Sequence, residues 1–174
     1  MVDIQTASVI IAATSIVLGV IYYLFNMRTT LETRQASLFM QLYSIYDSKE
    51  FLNDYTDVCW RHEYGDINDW MKKYHPQKNP EAYASFMRLG RFYEGVGILV
   101  EKKLISMDLV VELMREAILF SWERLKTYAY GQRELTHMPI WGPFENLANE
   151  VRVRQPKAIS ADLLSKATKD MSEH

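Results

Sequence analysis

Between Ile4 and Met27 the chain carries no charged side chain, and Ala7–Phe25 is apolar apart from scattered small hydroxyls, one glycine and two tyrosines. As a helix rising about 1.5 Å per residue, that stretch reaches roughly 28 Å, close to the 30 Å hydrocarbon layer of a bilayer. After Arg28 the pattern changes. Apolar residues return every three or four positions and charges of both signs fill the gaps, which is the period of amphipathic helices. No stretch alternates as a strand would. The pattern predicts an all-α chain: a transmembrane anchor (1–27), a juxtamembrane stalk helix (28–47), an antiparallel helical bundle (48–156) and a loose C-terminal tail (157–174).

The breaks in the pattern place the helices. Neither Gly nor Pro interrupts the chain between Gly19 and Gly65, so the span is expected to run on as one helix to about Tyr46. Leu31, Leu38, Leu42 and Ile45 keep heptad spacing, Gln35 fills the gap, and Phe39, Tyr43 and Tyr46 widen the stripe. Ser48 is placed to cap a helix over Lys49–His62, and Asp66 or Asn68 to start a short one ending at His75–Pro76. Pro80 suits the first turn of a central helix over Glu81–Leu104. Gly90, Gly95 and Gly97 each cost that helix about 1 kcal/mol relative to alanine, a loss that close packing of another helix would offset. The Ile105–Ser106 joint predicts an antiparallel hairpin into a helix reaching about Glu134. Beyond the breakers of His137–Gly142, Pro143 and Glu145 open a last helix that stops near Arg154.

Flanking charge bears on the anchor. A signal peptide wants a basic start, a shorter apolar run and a small-x-small exit; Asp3 and Phe25–Asn26–Met27 do not fit, so cleavage is not expected. Arg28 and Arg34 follow the span and no Lys or Arg precedes it. The positive-inside rule then places the N-terminus outside and the helical domain in the cytoplasm of a single-pass cell-membrane protein. Within the span Ser8, Ala12, Ser15 and Gly19 fall on one face. Small residues let helix backbones approach in lipid, which predicts a contact with a second copy or with a partner's span. Lipid is the other expected partner. Lys and Arg total 20 against 22 Asp and Glu, and that balance argues against nucleic acid.

Candidate chemistry is sparse. The four histidines are scattered, without a metal-ligand spacing, and no phosphate loop or nucleophile elbow occurs, so no metal and no cofactor is expected. Cys59 sits on an apolar stripe, where a buried thiol is expected. Trp60, Trp70, Trp122 and Trp141 lie on or beside apolar stripes and read as core or groove residues. Glu94 stands out, because it interrupts the most apolar helix beside Tyr93. A carboxylate in that position needs a proton or a cation. Arg61, Arg88, Arg124 and Arg133 are the available cations. Two readings follow: a structural ion pair holding two helices in register, which is favoured, or a catalytic or ligand-binding carboxylate in a buried pocket.

The stretch Arg91–Asp108, with Phe92, Glu94, Gly97 and the Leu104–Ile105 joint, followed by Trp122 and Arg133, resembles domain-of-unknown-function family 4760. That family comprises short prokaryotic proteins with an N-terminal span and a helical domain. The resemblance covers about Leu31–Val153 and implies that Glu94 and Arg133 act on the fold as a pair; it implies no activity. The sequence therefore points to a membrane-anchored binding module, acting as scaffold, accessory subunit or regulator and oligomeric through span or stalk. The alternative is a tethered enzyme or small-ligand sensor using a pocket at Glu94.

Overall fold

The computed structural model describes residues 3–63 and 65–154, and among these every regular element is helical. The tail expected at 157–174 lies outside the described residues. The first helix, α1, spans Ile4–Tyr46 without a break. Its most apolar window has a mean hydropathy of 2.2 and none of it is buried, so by length and composition α1 is a candidate membrane span. Its C-terminal turns behave differently. Phe39 is buried in the core, with Leu38, Leu42, Tyr43 and Tyr46 packed around it. Leu31 and Ile45, on the expected stripe, stay exposed. Gln35 Nε2 donates to the Lys103 carbonyl at 2.8 Å, tying this end of α1 to the joint between the two longest bundle helices.

Local signals explain the remaining boundaries. The Ser48 hydroxyl accepts from the Phe51 amide at 3.1 Å and starts α2 (Lys49–Thr56). Asp66 accepts from the Asp69 amide at 2.8 Å and starts α3 (Ile67–Tyr74). Asn79 accepts from the Ala82 amide at 3.1 Å, with Pro80 in the first turn of α4 (Pro80–Glu101). Each satisfies an amide that the helix itself leaves unpaired. Then α5 covers Met107–Thr136 and α6 covers Gly142–Val153. Ser106 precedes α5 but makes no side-chain cap there.

One expected helix is altered. The chain predicted as helix through His62 leaves α2 for a π-helical turn over Asp57–Arg61, closed by the His62 amide on the Asp57 carbonyl at 3.0 Å. The wider turn buries Val58 and Cys59 completely and swings Trp60 outward to 65% exposure. Trp60 is thus not a core residue, whereas Trp70, Trp122 and Trp141 are buried. A π turn loosens the carbonyl ladder. Arg124 on α5 compensates, its Nε donating to the Cys59 carbonyl at 2.8 Å.

Packing follows the glycines. A Cβ on Gly97 would lie 2.3 Å from the Pro143 carbonyl oxygen, and one on Gly90 would lie 2.1 Å from the Trp141 indole. The start of α6 therefore sits directly on α4. Gly131 of α5 is covered in the same way by Ile67 of α3, at 2.5 Å. Gly95 faces open space, so close packing accounts for two of the three glycines in α4. α5 folds back antiparallel to α4, setting Tyr128 beside the Trp70–Phe86 pair and Trp122 against Phe144, which stacks on Tyr93. The resulting core is aromatic and continuous with the stalk: Phe39, Tyr43, Tyr46, Phe51 and Phe92 follow one another with ring centroids 4.6–6.2 Å apart.

Candidate functional site

Two polar groupings are built into this core. The first surrounds Glu94, half-buried on α4 next to the fully buried Tyr93. Burial pushes the Glu94 carboxyl above its ordinary value, against the opposing pull of the Arg133 charge. Its Oε2 is buried without a hydrogen-bond partner among the described residues, and so is Nη2 of Arg133. The direct ion pair of Arg133 is with Glu145 on α6, Nη1 to Oε2 at 2.5 Å. Its Nε donates to the Ile140 carbonyl at 2.8 Å, and its guanidinium carbon stands 5.4 Å from the Tyr130 ring centroid. The Tyr130 hydroxyl donates to the other Glu145 oxygen at 2.7 Å. Glu145 feels burial most strongly, but the hydrogen bonds from Arg133 and Tyr130 and the Arg133 charge together hold its carboxyl below the usual range.

Arg133 thus staples the α5–α6 turn and leaves Glu94 in its field without a direct contact. The other cations weighed as partners lie elsewhere. Arg61 pairs with Asp57 at 2.7 Å, Arg124 holds the π turn, and Arg88 pairs with Glu50 and Asp54.

That last pair belongs to the second grouping, which sequence reasoning missed. Asp54 on α2 is 5% exposed, and its Oδ1 accepts from Ser85 Oγ at 2.7 Å and from Arg88 Nη2 at 2.6 Å. Arg88 Nη1 reaches Glu50 at 3.0 Å. Above them opens a cleft of about 400 Å³ lined by Ile45, Ser48, Glu50, Phe51, Asp54, Arg88, Arg91 and Phe92. A signal was available: Asp54 is three residues after Phe51 and four before Val58, on the buried stripe of its own helix.

Cys59 has no exposed surface, and burial pushes its thiol up to about 11, with Ser121 and Arg124 pulling weakly the other way. It is not a nucleophile at neutral pH. Among the described residues, no group of three or more His, Cys, Asp or Glu side chains could hold a metal ion. On α1 the Ser8, Ala12, Ser15 and Gly19 face is fully exposed, and nothing lies within 4 Å of a Cβ at Gly19. The Ser8 and Ser15 hydroxyls bond to Gln5 and Ile11 carbonyls of their own helix, which hides their polarity and leaves a smooth, small surface.

No curated protein and no solved structure matches the chain. A family model does, running from the start of the apolar helix through most of α6: over residues 3–151 the chain belongs to the family described as Domain of unknown function (DUF4760).

Proposed function

We propose that the chain is a single-pass, membrane-anchored helical binding module, working as a scaffold, accessory subunit or regulator. Its helical domain lies on the cytoplasmic side, and the Ser8–Gly19 face meets a second copy or a partner's span. One observation carries this reading. α1 is uncovered and apolar at one end, and at the other contributes Phe39 to the bundle core without an intervening break. A flexible tether would let the domain tumble freely. A continuous helix, pinned by the Gln35–Lys103 bond and the aromatic series, fixes the domain's orientation to whatever the span contacts.

Membrane fractionation with carbonate washing tests the anchor: the full chain stays with the pellet, and recovery in the supernatant would refute it. Gly19→Leu tests the contact by removing close approach. Loss of the oligomer, measured by crosslinking in membranes, is the expected result; an unchanged oligomer removes that face from the proposal.

A second reading, a tethered small-ligand sensor or enzyme at Glu94, draws support from Glu94 Oε2 and Arg133 Nη2, both buried without a hydrogen-bond partner among the described residues. Glu94→Gln separates it from a structural role. An intact fold with altered ligand response supports the sensor, and a collapsed fold supports structure.

A further inference from the structure

We infer that the tip of the α4–α5 hairpin, with Arg34 beside it, is a contact surface for the anionic headgroups of the bilayer that α1 crosses. This adds a lipid class to the membrane-anchored reading, on which it rests. Two contacts fix where the tip lies. Gln35 of α1 donates to the Lys103 carbonyl, and Tyr46 of α1 meets Phe92 of α4 with ring centroids 6.5 Å apart. The contacts are eleven positions apart on each side, and their order is opposite. α4 therefore lies antiparallel along α1, and the bundle turns its 102–106 joint toward the span. Because α1 is one unbroken helix, its axis sets the height of that joint. Ten residues separate Phe25, the last of the apolar run, from Gln35, roughly 15 Å of helix. Headgroups occupy about 5–8 Å beyond the hydrocarbon edge, so the tip stands roughly 7–10 Å above them. That gap is about one Debye length at physiological salt, the range over which an anionic leaflet attracts Lys and Arg. Stretched lysine side chains shorten it further.

Charge at this height is net positive. Arg34, Lys102 and Lys103 are exposed, and none has an ion pair among the described residues. The acids nearby are mostly engaged. Glu32 pairs with Arg28 at 3.1 Å and Asp108 with Arg154 at 3.3 Å, which leaves Glu101, itself accepting from Asn146. The backbone adds an independent observation. Lys103 has a φ of 56°, and the Leu104 amide closes the end of α4 on the Leu99 carbonyl at 2.8 Å. Glycine is the usual residue at such a left-handed closing position, because a Cβ is strained there. A lysine in its place weakens the turn and sets a charge at the membrane-facing end of the bundle.

The test places the full chain in nanodiscs of phosphatidylcholine alone or of phosphatidylcholine mixed with phosphatidylglycerol. Acetylation of each lysine by a water-soluble reagent is followed by mass spectrometry. Lys102 and Lys103 should react at least about threefold more slowly in the anionic discs, the factor that a charged leaflet imposes on a nearby amine. The slowing should vanish at about 1 M salt, where the Debye length is about 3 Å. Lys72 and Lys73 on α3 are the control. Trp70 of α3 meets α4 at Phe86, and the fifteen residues of helix from there to Glu101 span roughly 22 Å. Their rates should be the same in both discs. The double variant Lys102→Gln/Lys103→Gly separates charge from structure. It should melt no lower than the parent, and carry at least about threefold less phosphatidylglycerol through detergent extraction. Three results would overturn the proposal: tip lysines that react equally in the two discs, equal slowing at Lys72 and Lys73, or undiminished phosphatidylglycerol retention by the double variant. A chain that does not co-elute with the discs overturns the anchor as well, whereas a co-eluting chain with unprotected tip lysines overturns the headgroup contact alone.

Discussion

Trp141 fills the space that any side chain at Gly90 would need: a Cβ there would sit 2.1 Å from the indole Cζ2 and 2.3 Å from Cε2. The indole is 5% exposed and packs against Tyr128 at 5.1 Å between centroids, so it has nowhere to retreat. Alanine at position 90 gains about 1 kcal/mol of helix propensity but overpacks this contact, a conflict that commonly costs 1–3 kcal/mol or more. Gly90→Ala should therefore lower stability by a net of up to about 2 kcal/mol. Gly97→Ala should lower it further, because its obstacle is the Pro143 backbone and not a side chain. Thermal unfolding followed by circular dichroism reads both. A melting temperature raised by either substitution would show that α6 does not sit on α4 as described.

Gly95 provides the internal control. It lies in the same helix with nothing within 4 Å of a Cβ, so alanine there keeps the propensity gain and meets no obstacle. Gly95→Ala should raise stability by about 0.5–1 kcal/mol. The ordering of the melting temperatures, Gly95→Ala above the parent and Gly90→Ala and Gly97→Ala below it, is the outcome that the packing dictates.

These glycines also show what a sequence discloses. Apolar period, caps and breakers are local, and they placed Ser48, Asp66 and Pro80 at helix starts within a residue, while the Asn79 cap went unread. That some helix packs on the α4 glycines follows from their cost, but which two are covered depends on the rotation of α6 about its own axis. The same limit applies to ion pairs. Arg133 has carboxylates within reach on two helices, and the left-handed Trp141 at the start of α6 decides for Glu145. The π turn was hidden because no breaker marks it; it arises from burying the adjacent Val58 and Cys59 together. Asp54 was readable from its place on the buried stripe, yet Ser85 and Arg88 lie 31 and 34 residues away. Only the antiparallel register of α2 and α4 brings them in.

Glu94 and Glu145 should respond to pH with opposite signs. Glu145 has a folded value below its unfolded one, so its stabilisation is fully present above about pH 4.5 and fades as pH falls through the lowered value. Glu94 is raised by burial, so the folded state holds its proton more tightly than the unfolded chain. Stability then drops as pH rises from about 4.5 through the raised value. Glu145→Gln should accordingly lower the melting temperature at pH 7, by roughly 1–2 kcal/mol for a half-buried charge-assisted contact, and its deficit should shrink in acid. Glu94→Gln should match or exceed the parent at pH 7 and lose that advantage near pH 4. Melting curves between pH 3.5 and 8 decide the matter, and a Glu94→Gln protein destabilised at pH 7 would establish a direct structural pair with Arg133 after all.

Cys59 supplies a reporter for the whole bundle. Its thiol is wholly buried and raised to about 11, so at pH 8 its thiolate fraction is about 0.001, against roughly a quarter for an ordinary cysteine. Access is a second barrier: the side chain is enclosed by the π turn and faces Ser121 on α5, Sγ to Oγ 3.9 Å. A thiol reagent reaches it only when the π turn separates from α5, and Arg124 on the Cys59 carbonyl resists that separation. Labelling of the native chain in nanodiscs should thus be more than a hundredfold slower than in denaturant. Arg124→Gln, which removes the charge-assisted bond to the turn, should accelerate native labelling while leaving the denatured rate unchanged. Labelling of the parent at the denatured rate would mean that α2, the π turn and α5 do not close over this residue.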